Sequence, residues 1–270
     1  MVKTINDITE KNFNKLSILV STSGLSFCIT HLVSNHIINF TETSFSDILP
    51  IEEQLWKAFL DYPLLSKPFD EIEIVHNNAL NSFVPASLFN KEYLASYLQY
   101  NTKVFETDFF TYDFLENYNL YNVYVPYAHI NNFLLDHFKT FEYQNSNTVL
   151  VKKLLNYNLH NFVKTVYVHI QENNFEIVVL NHQELLFFNS FAYKTAQDFL
   201  YYLLFTLEQL QINPDNGNVV FLGKIKPTSD IFLLSYNYIR NCEIIKLSHI
   251  AKVLQVSEQK LIENFILFQS

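Results

Sequence analysis

Hydrophobic and polar residues alternate in two short segments that start about 150 residues apart. In the first segment Leu16, Ile18 and Val20 share one face, and a turn around Gly24 leads into two more apolar runs. This pattern predicts an antiparallel three-stranded meander over Leu16–Thr41, in which Gly24 supplies a positive φ for the hairpin turn. The segment contains no charged residue, which indicates a buried sheet. A helix capped by Asp47 is predicted to follow.

The same pattern returns in the second half. Val166, Val168 and Ile170 alternate with polar or larger residues, and the segment to Tyr193 reads as another meander. Thr195 is a suitable N-cap for a helix with a broad apolar stripe. The following runs predict the order β-β-β-α-β-α-β, which is typical of a ribonuclease-H-like lobe with a mixed sheet. We therefore predict an α/β protein with two such lobes, residues 1–160 and 161–270, the first with an inserted region around 80–119.

Composition restricts the classes of function. The net charge is −9, and Arg240 is the single arginine among 18 basic residues, which argues against a nucleic-acid-binding surface. Three glycines in 270 residues exclude a glycine-rich phosphate loop. No apolar run is long enough for membrane insertion, and the first residues contain no apolar signal segment. Cys28 and Cys242 lie in apolar runs and are expected to be free thiols in the cytoplasm.

Several stretches resemble a bacterial family of uncharacterised proteins, DUF3822. They include LSFCI in the first meander, FVPASLF, YVPYAHINNFL and the long block FEIVVLNHQELLFFNSFAYKTAQDFLYYLLFTLEQL. The resemblance covers most of the chain and is most specific between Val166 and Leu222. It implies the two-lobed fold of the actin-like ATPases. It implies no activity, because none is assigned to the family.

In that fold, an active nucleotide site needs an acidic residue in the first hairpin and a glycine-containing acidic hairpin opposite. Here no Asp or Glu lies between Leu16 and Thr41. In the opposite hairpin, Asn173 and Asn174 stand where glycine would be needed. One glycine stands where the adenosine pocket usually has two. We interpret these turns as a degenerate site without a metal or other cofactor, and we favour this interpretation over residual binding of ATP and magnesium. Residues predicted to line a residual ligand-binding cleft are Ser21, Thr22, Ser23, Gly24, His169, Glu172 and Gly223.

The sequence thus predicts a non-catalytic pseudo-ATPase that binds a protein partner as a scaffold, through its aromatic surface or its interlobe cleft. The 26 phenylalanines and 17 tyrosines favour such a surface. The alternative is an atypical nucleotide-binding ATPase or small-molecule kinase. An acidic group, Glu106, Asp108, Asp113 and Glu116, is expected to be a solvated strand end rather than a catalytic pair.

Overall fold

The computed structural model describes residues 12–100, 102–105 and 107–270. The predicted absence of a signal segment concerns residues 1–11 and therefore lies outside the described residues. The elements of the first half, in chain order, are β1 Asn14–Val20, β2 Gly24–His31, β3 Ile37–Ser44, α1 Ile51–Asp61, β4 Glu71–His76, β5 Asn81–Pro85, α2 Leu94–Leu98, β6 Thr111–Leu115, β7 Leu120–Tyr124, α3 Ala128–Phe138, β8 Glu142–Asn145 and α4 Ser146–Tyr157.

The first sheet has the strand order β3-β2-β1-β4-β8. The meander β1–β3 is antiparallel, whereas β4 pairs parallel with both β1 and β8. Leu16, Ile18 and Val20 all point into the apolar core between this sheet and helices α1 and α3. The alternation along β1 therefore sets which face of the sheet is buried.

Between β4 and β8 the chain forms a separate three-stranded antiparallel sheet in the order β5-β7-β6. Its small core contains Val84, Leu98 and Val123. We call this unit the insert. It overlaps the predicted inserted region 80–119, and its last strand in sequence, β7, lies wholly beyond residue 119.

The second half repeats the plan of the first. Its elements are β9 Thr165–Ile170, β10 Asn174–Asn181, β11 Glu184–Ala192, α5 Ala196–Gln209, β12 Asn218–Gly223, α6 Asp230–Tyr238, β13 Asn241–Ile244, α7 Ser248–Leu254, α8 Glu258–Glu263 and α9 Phe265–Gln269. The strand order is β11-β10-β9-β12-β13, with the same parallel and antiparallel pairings as in the first sheet. The prediction of two equivalent mixed lobes is confirmed.

A central core joins the two sheets. Helix α4 is buried along most of its length, and residues 265–268 of α9 are buried beside it. Cys28 of the first sheet and Tyr167 of the second belong to this same cluster. Burial raises the pKa of the Cys28 thiol to about 12, so this cysteine is an unreactive packing residue.

The start of α1 differs from the prediction. The helix begins at Ile51 after Pro50, so Asp47 is not its N-cap. The side chain of Gln54 donates to the carbonyl oxygens of Ser46 and Leu49, and these bonds fix the preceding segment in a non-helical path. At α5 the prediction is confirmed, because Thr195 and Asp198 form a reciprocal capping box.

Candidate functional site

A cleft of about 310 Å³ opens where the β1–β2 turn and the β9–β10 turn face each other. The two turns come from different lobes and occupy equivalent positions in the repeated topology. Residues 265–267 of α9 line the same cleft, so the C-terminal segment forms part of its wall. The cleft is therefore built from both lobes and from the end of the chain.

The β1–β2 turn uses its own hydroxyl groups to close the hairpin. Ser21 Oγ lies 3.0 Å from Ser23 Oγ and accepts the backbone N–H of Ser23 at 3.2 Å. Gly24 does not have the predicted positive φ. Glycine is required there for space, because a Cβ would lie 2.7 Å from the carbonyl oxygen of Thr43 on β3.

The β9–β10 hairpin contains a buried carboxylate. Glu176 is 1% exposed and lies directly opposite His169 in the β9–β10 register. Its oxygens contact His169 Nδ1 at 2.7 Å, Asn174 Nδ2 at 2.8 Å and Gln171 Nε2 at 3.0 and 3.1 Å. All of these partners come from the protein itself. The carboxylate is thus held as a structural group rather than presented to a ligand.

The sequence predicts Glu172 as the acidic residue of this hairpin, whereas the buried acid is Glu176. Glu172 is exposed at the turn, two residues before the strand begins. One signal was available, since Glu176 is the single charged residue within the apolar run FEIVVL. Buried acids are rarely tolerated without partners.

Two polar contacts cross the cleft between the lobes. Asn77, which follows β4, donates from Nδ2 to Gln171 Oε1 at 2.9 Å. Lys224, which follows β12, contacts Glu42 of β3 at 3.0 Å, with both side chains half exposed. Gln171 therefore connects the buried Glu176 carboxylate to the opposite lobe.

The ionisable groups in the cleft are mainly acidic. Glu42, Glu172 and Glu263 line it, and Lys224 is the one lysine among the lining residues. That lysine is paired with Glu42. Lys226 lies in an adjoining pocket and not in the cleft. Within the described residues no group of three or more His, Cys, Asp or Glu side chains is arranged to hold a metal ion.

The structure brings most of the predicted site residues together. The cleft is lined by Ser21, Thr22, Ser23, Gly24, His169 and Glu172. Gly223 lies at the end of β12, has φ +89°, and packs so tightly on β9 that a Cβ would be 2.2 Å from Ile170 O. Its side of the strand is filled by protein. That these residues bind a ligand stays a prediction.

A second buried polar cluster lies between the insert and the start of α4. Asp113 accepts hydrogen bonds from Tyr124 Oη at 3.0 Å, Thr148 Oγ1 at 2.5 Å and the Asn145 backbone N–H at 2.9 Å. Burial raises the pKa of Asp113 to about 6, against the lowering effect of these bonds. The expectation of a solvated strand end is wrong for Asp113, which points inward. Glu106, of the same group, lies outside the described residues.

Comparison with known proteins identifies the family. The family model described as "Protein of unknown function (DUF3822)" matches residues 3–242. The chain belongs to DUF3822. No curated protein matches the sequence.

Solved structures show that this DUF3822 protein has the actin-like ATPase fold. A Bacteroides thetaiotaomicron protein with this fold and unknown function superposes with a TM-score of 0.81 at 20% identity, over 93% of this chain and 99% of that one. A PilM-PilN type IV pilus biogenesis complex gives a TM-score of 0.62 at 9% identity, over 94% of this chain and 96% of that one. Within the described residues no helix is long and apolar enough to cross a membrane.

Proposed function

We propose that this DUF3822 protein is a non-catalytic, cytoplasmic protein-binding member of the actin-like fold. The proposal rests on two charged groups at the cleft that are already bonded within the protein. The buried Glu176 carboxylate is surrounded by protein donors, and the one lysine among the lining residues is paired with Glu42. The free thiols of Cys28 and Cys242 support a reducing compartment.

A nucleoside triphosphate would meet repulsion in this cleft. The carboxylates of Glu172 and Glu263 line the space into which its phosphates would enter, and the positive charge of Lys224 is balanced by Glu42. Phosphate sites instead depend on free backbone N–H groups, lysine or arginine. The side chains of Asn173 and Asn174 also occupy the turn at which a phosphate loop would present bare backbone.

The insert offers a surface suited to a protein partner. The rings of Phe89 and Tyr121 stack 3.7 Å apart at 7°, and Phe114 stacks on Tyr121 at 4.4 Å. Phe114, at the end of this row, is 46% exposed. The segment between β5 and β6 exposes further large apolar side chains, namely Leu88, Tyr93, Tyr100, Phe105 and Phe109. We call this set together with Phe114 the aromatic surface.

The chemistry of the aromatic surface favours protein over nucleic acid. Rigid aromatic side chains are enriched at the centres of protein interfaces because they bury a large area at a small entropic cost. Stacking on nucleic acid bases normally needs an accompanying basic groove. Between Asn81 and Tyr127 there are only two lysines against five acidic residues. The PilM-PilN complex is a precedent for a protein of this fold in a protein complex.

The test compares partner capture by the wild-type chain and by a variant of the aromatic surface. Tyr100→Ser, Phe105→Ser and Phe109→Ser change exposed side chains and leave the core of the insert intact. Tyr236→Ser with Tyr238→Ser removes equally exposed rings from α6 and is the matched control.

Proteins captured from the source bacterium are identified by mass spectrometry, purified, and titrated against each variant by calorimetry. We expect a partner whose affinity falls at least about tenfold with the triple variant and is unchanged with the control. A partner that binds all three proteins equally would contradict the assignment of the surface. Steady ATP turnover by the purified chain would instead favour the atypical ATPase or kinase.

A further inference from the structure

The buried Glu176 carboxylate fixes the orientation of the polar side chains around it. An ionised carboxylate accepts hydrogen bonds and donates none, so each group that contacts it must present a hydrogen atom. Gln171 and Asn174 therefore turn their NH2 groups to Glu176, and His169 carries its proton on Nδ1. Because Gln171 Nε2 faces the carboxylate, Gln171 Oε1 accepts from Asn77 Nδ2. One buried acid thus decides which polar atoms around it are donors and which are acceptors.

The remaining polar atoms of these side chains are hydrogen-bond acceptors at the cleft. His169 is only 5% exposed, lines the cleft, and has no partner for Nε2 within the described residues. With the proton on Nδ1, the neutral ring presents a lone pair at Nε2. The Oδ1 atoms of Asn77 and Asn174 are likewise unpaired in the part of the chain that the structure describes. None of these three atoms is enclosed by protein, so they are open to a ligand in the cleft.

The C-terminal wall of the cleft adds a further acceptor. Asn264, between α8 and α9, donates from Nδ2 to the carbonyl oxygen of Lys260 at 3.0 Å, which leaves its Oδ1 for the cleft. The carboxylates of Glu172 and Glu263 line the same space, and neither forms an ion pair within the described part of the chain. The cleft therefore combines side-chain acceptors with negative charge that no cation of the described residues balances.

We propose that the cleft binds a primary ammonium group carried on a short alkyl chain. An ammonium group has a positive charge and three N–H donors, which match the acceptors and carboxylates of the cleft. Phe265, Ile266 and Leu267 line the cleft beside these groups and provide apolar contacts for the alkyl chain. A volume of about 310 Å³ is enough for such a ligand. Free diamines and the lysine side chains of peptides both carry this chemistry.

Other hydrogen-bond donors fit the cleft less well. A guanidinium group is a planar fork that pairs best with both oxygens of one carboxylate. The acceptors here come singly from separate elements, with Asn77 after β4, His169 on β9 and Asn174 on β10. An alcohol would leave Glu172 and Glu263 without a counter-charge. The ammonium site goes beyond the proposed partner binding, which uses the aromatic surface and not the cleft.

The first test titrates cadaverine, a linear alkyl diamine, into the full chain by calorimetry. We expect saturable binding at millimolar concentration or below, and no saturable heat with the diol of the same length. Glu172→Lys replaces an exposed carboxylate of the cleft by a cation and should weaken cadaverine binding at least about tenfold. Glu208→Lys makes the same change of net charge on the exposed surface of α5 and should leave the affinity unchanged. An equal loss in both variants would contradict binding in the cleft.

The second test concerns the acceptors. His169→Leu removes Nε2, whereas His169→Gln can still donate to Glu176 and keeps an acceptor oxygen, so the leucine variant should bind cadaverine more weakly than the glutamine variant. Asn264→Leu removes an acceptor without touching the Glu176 network and should also weaken binding. Thermal unfolding verifies that each variant is folded, and Asn264→Leu carries the test if His169→Leu is not. Unchanged affinity in the folded variants would refute the role of these acceptors.

The third test separates the two sources of the ammonium group. Nα-acetyl-lysine amide represents a lysine side chain within a peptide, and its Nε-acetylated form, which lacks the charge, is the control. Tighter binding of the lysine probe than of cadaverine would assign the cleft to a peptide lysine, and the reverse would assign it to a free diamine. If neither cadaverine nor the lysine probe gives saturable binding, the proposal is wrong.

Discussion

Asp113 gives the most direct energetic test of the polar cluster between the insert and α4. Its carboxylate is held by Tyr124, Asn145 and Thr148 in a largely buried site. Burial raises its pKa from 3.8 to about 6. A difference of about 2 between the pKa values of Asp113 in the unfolded and folded states corresponds to about 3 kcal/mol in the free energy of unfolding.

The folded state binds the Asp113 proton more tightly than the unfolded state does. The stabilisation of the fold by Asp113 is therefore present below about pH 4 and is lost as pH rises through 6. Asp113→Asn removes the ionisation but keeps an oxygen for Asn145 and Thr148 and an amide that donates to the Tyr124 oxygen. We expect the free energy of unfolding of Asp113→Asn, relative to that of the wild-type protein, to increase by about 3 kcal/mol between about pH 4 and pH 7.5.

Urea denaturation followed by far-ultraviolet circular dichroism at several pH values measures this difference. Asp136→Asn, at an exposed position of α3, is the control and should follow the wild-type curve at each pH. If the stability difference between Asp113→Asn and the wild-type protein were the same at every pH, the carboxyl group would not titrate near 6 in the fold. The interpretation of this cluster would then be wrong.

Four further substitutions test the fold. Burial lowers the pKa of His76 to about 4, so its contribution is present above about pH 6.5 and is lost towards pH 4; His76→Gln should flatten the acid side of the stability curve. Gly223→Ala forces a Cβ against Ile170 O at positive φ and should cost at least about 2 kcal/mol in urea denaturation. Gly217→Ala, which does not have a positive φ and whose Cβ would meet Ile212 Cγ2 at 2.6 Å and Asn213 O at 3.1 Å, should cost less. Thr195→Ala removes the α5 cap and should lower the melting temperature, with a loss of about 1 kcal/mol; an unchanged melting temperature would contradict the role of the cap.

The fold could be predicted from the sequence where local periodicity determines the structure. The alternation around Ile18 and Val168 is set by which face of each strand is buried, so both meanders were predictable. The start of α1 was not, because it depends on contacts from Gln54 to a segment before Pro50. Side-chain hydrogen bonds of this kind leave no periodic signal.

The candidate site was predictable only in outline. The turns that meet at the cleft were identified because equivalent hairpins of two related lobes face each other. Glu176 was missed because its role depends on the strand register that places His169 opposite it. Asp113 was misjudged because Thr148 lies 35 residues further along the chain. Contacts of this range depend on tertiary packing and not on local composition.

Calorimetric titration with Mg-ATP tests the central claim most directly. The cleft has acidic lining residues, one lysine that is already paired, and a buried carboxylate surrounded by protein donors. We therefore predict no saturable heat of binding and no phosphate release at millimolar nucleotide. Saturable binding that is lost in Ser23→Ala, a substitution in the exposed β1–β2 turn, would contradict the account and identify the cleft as an atypical nucleotide site.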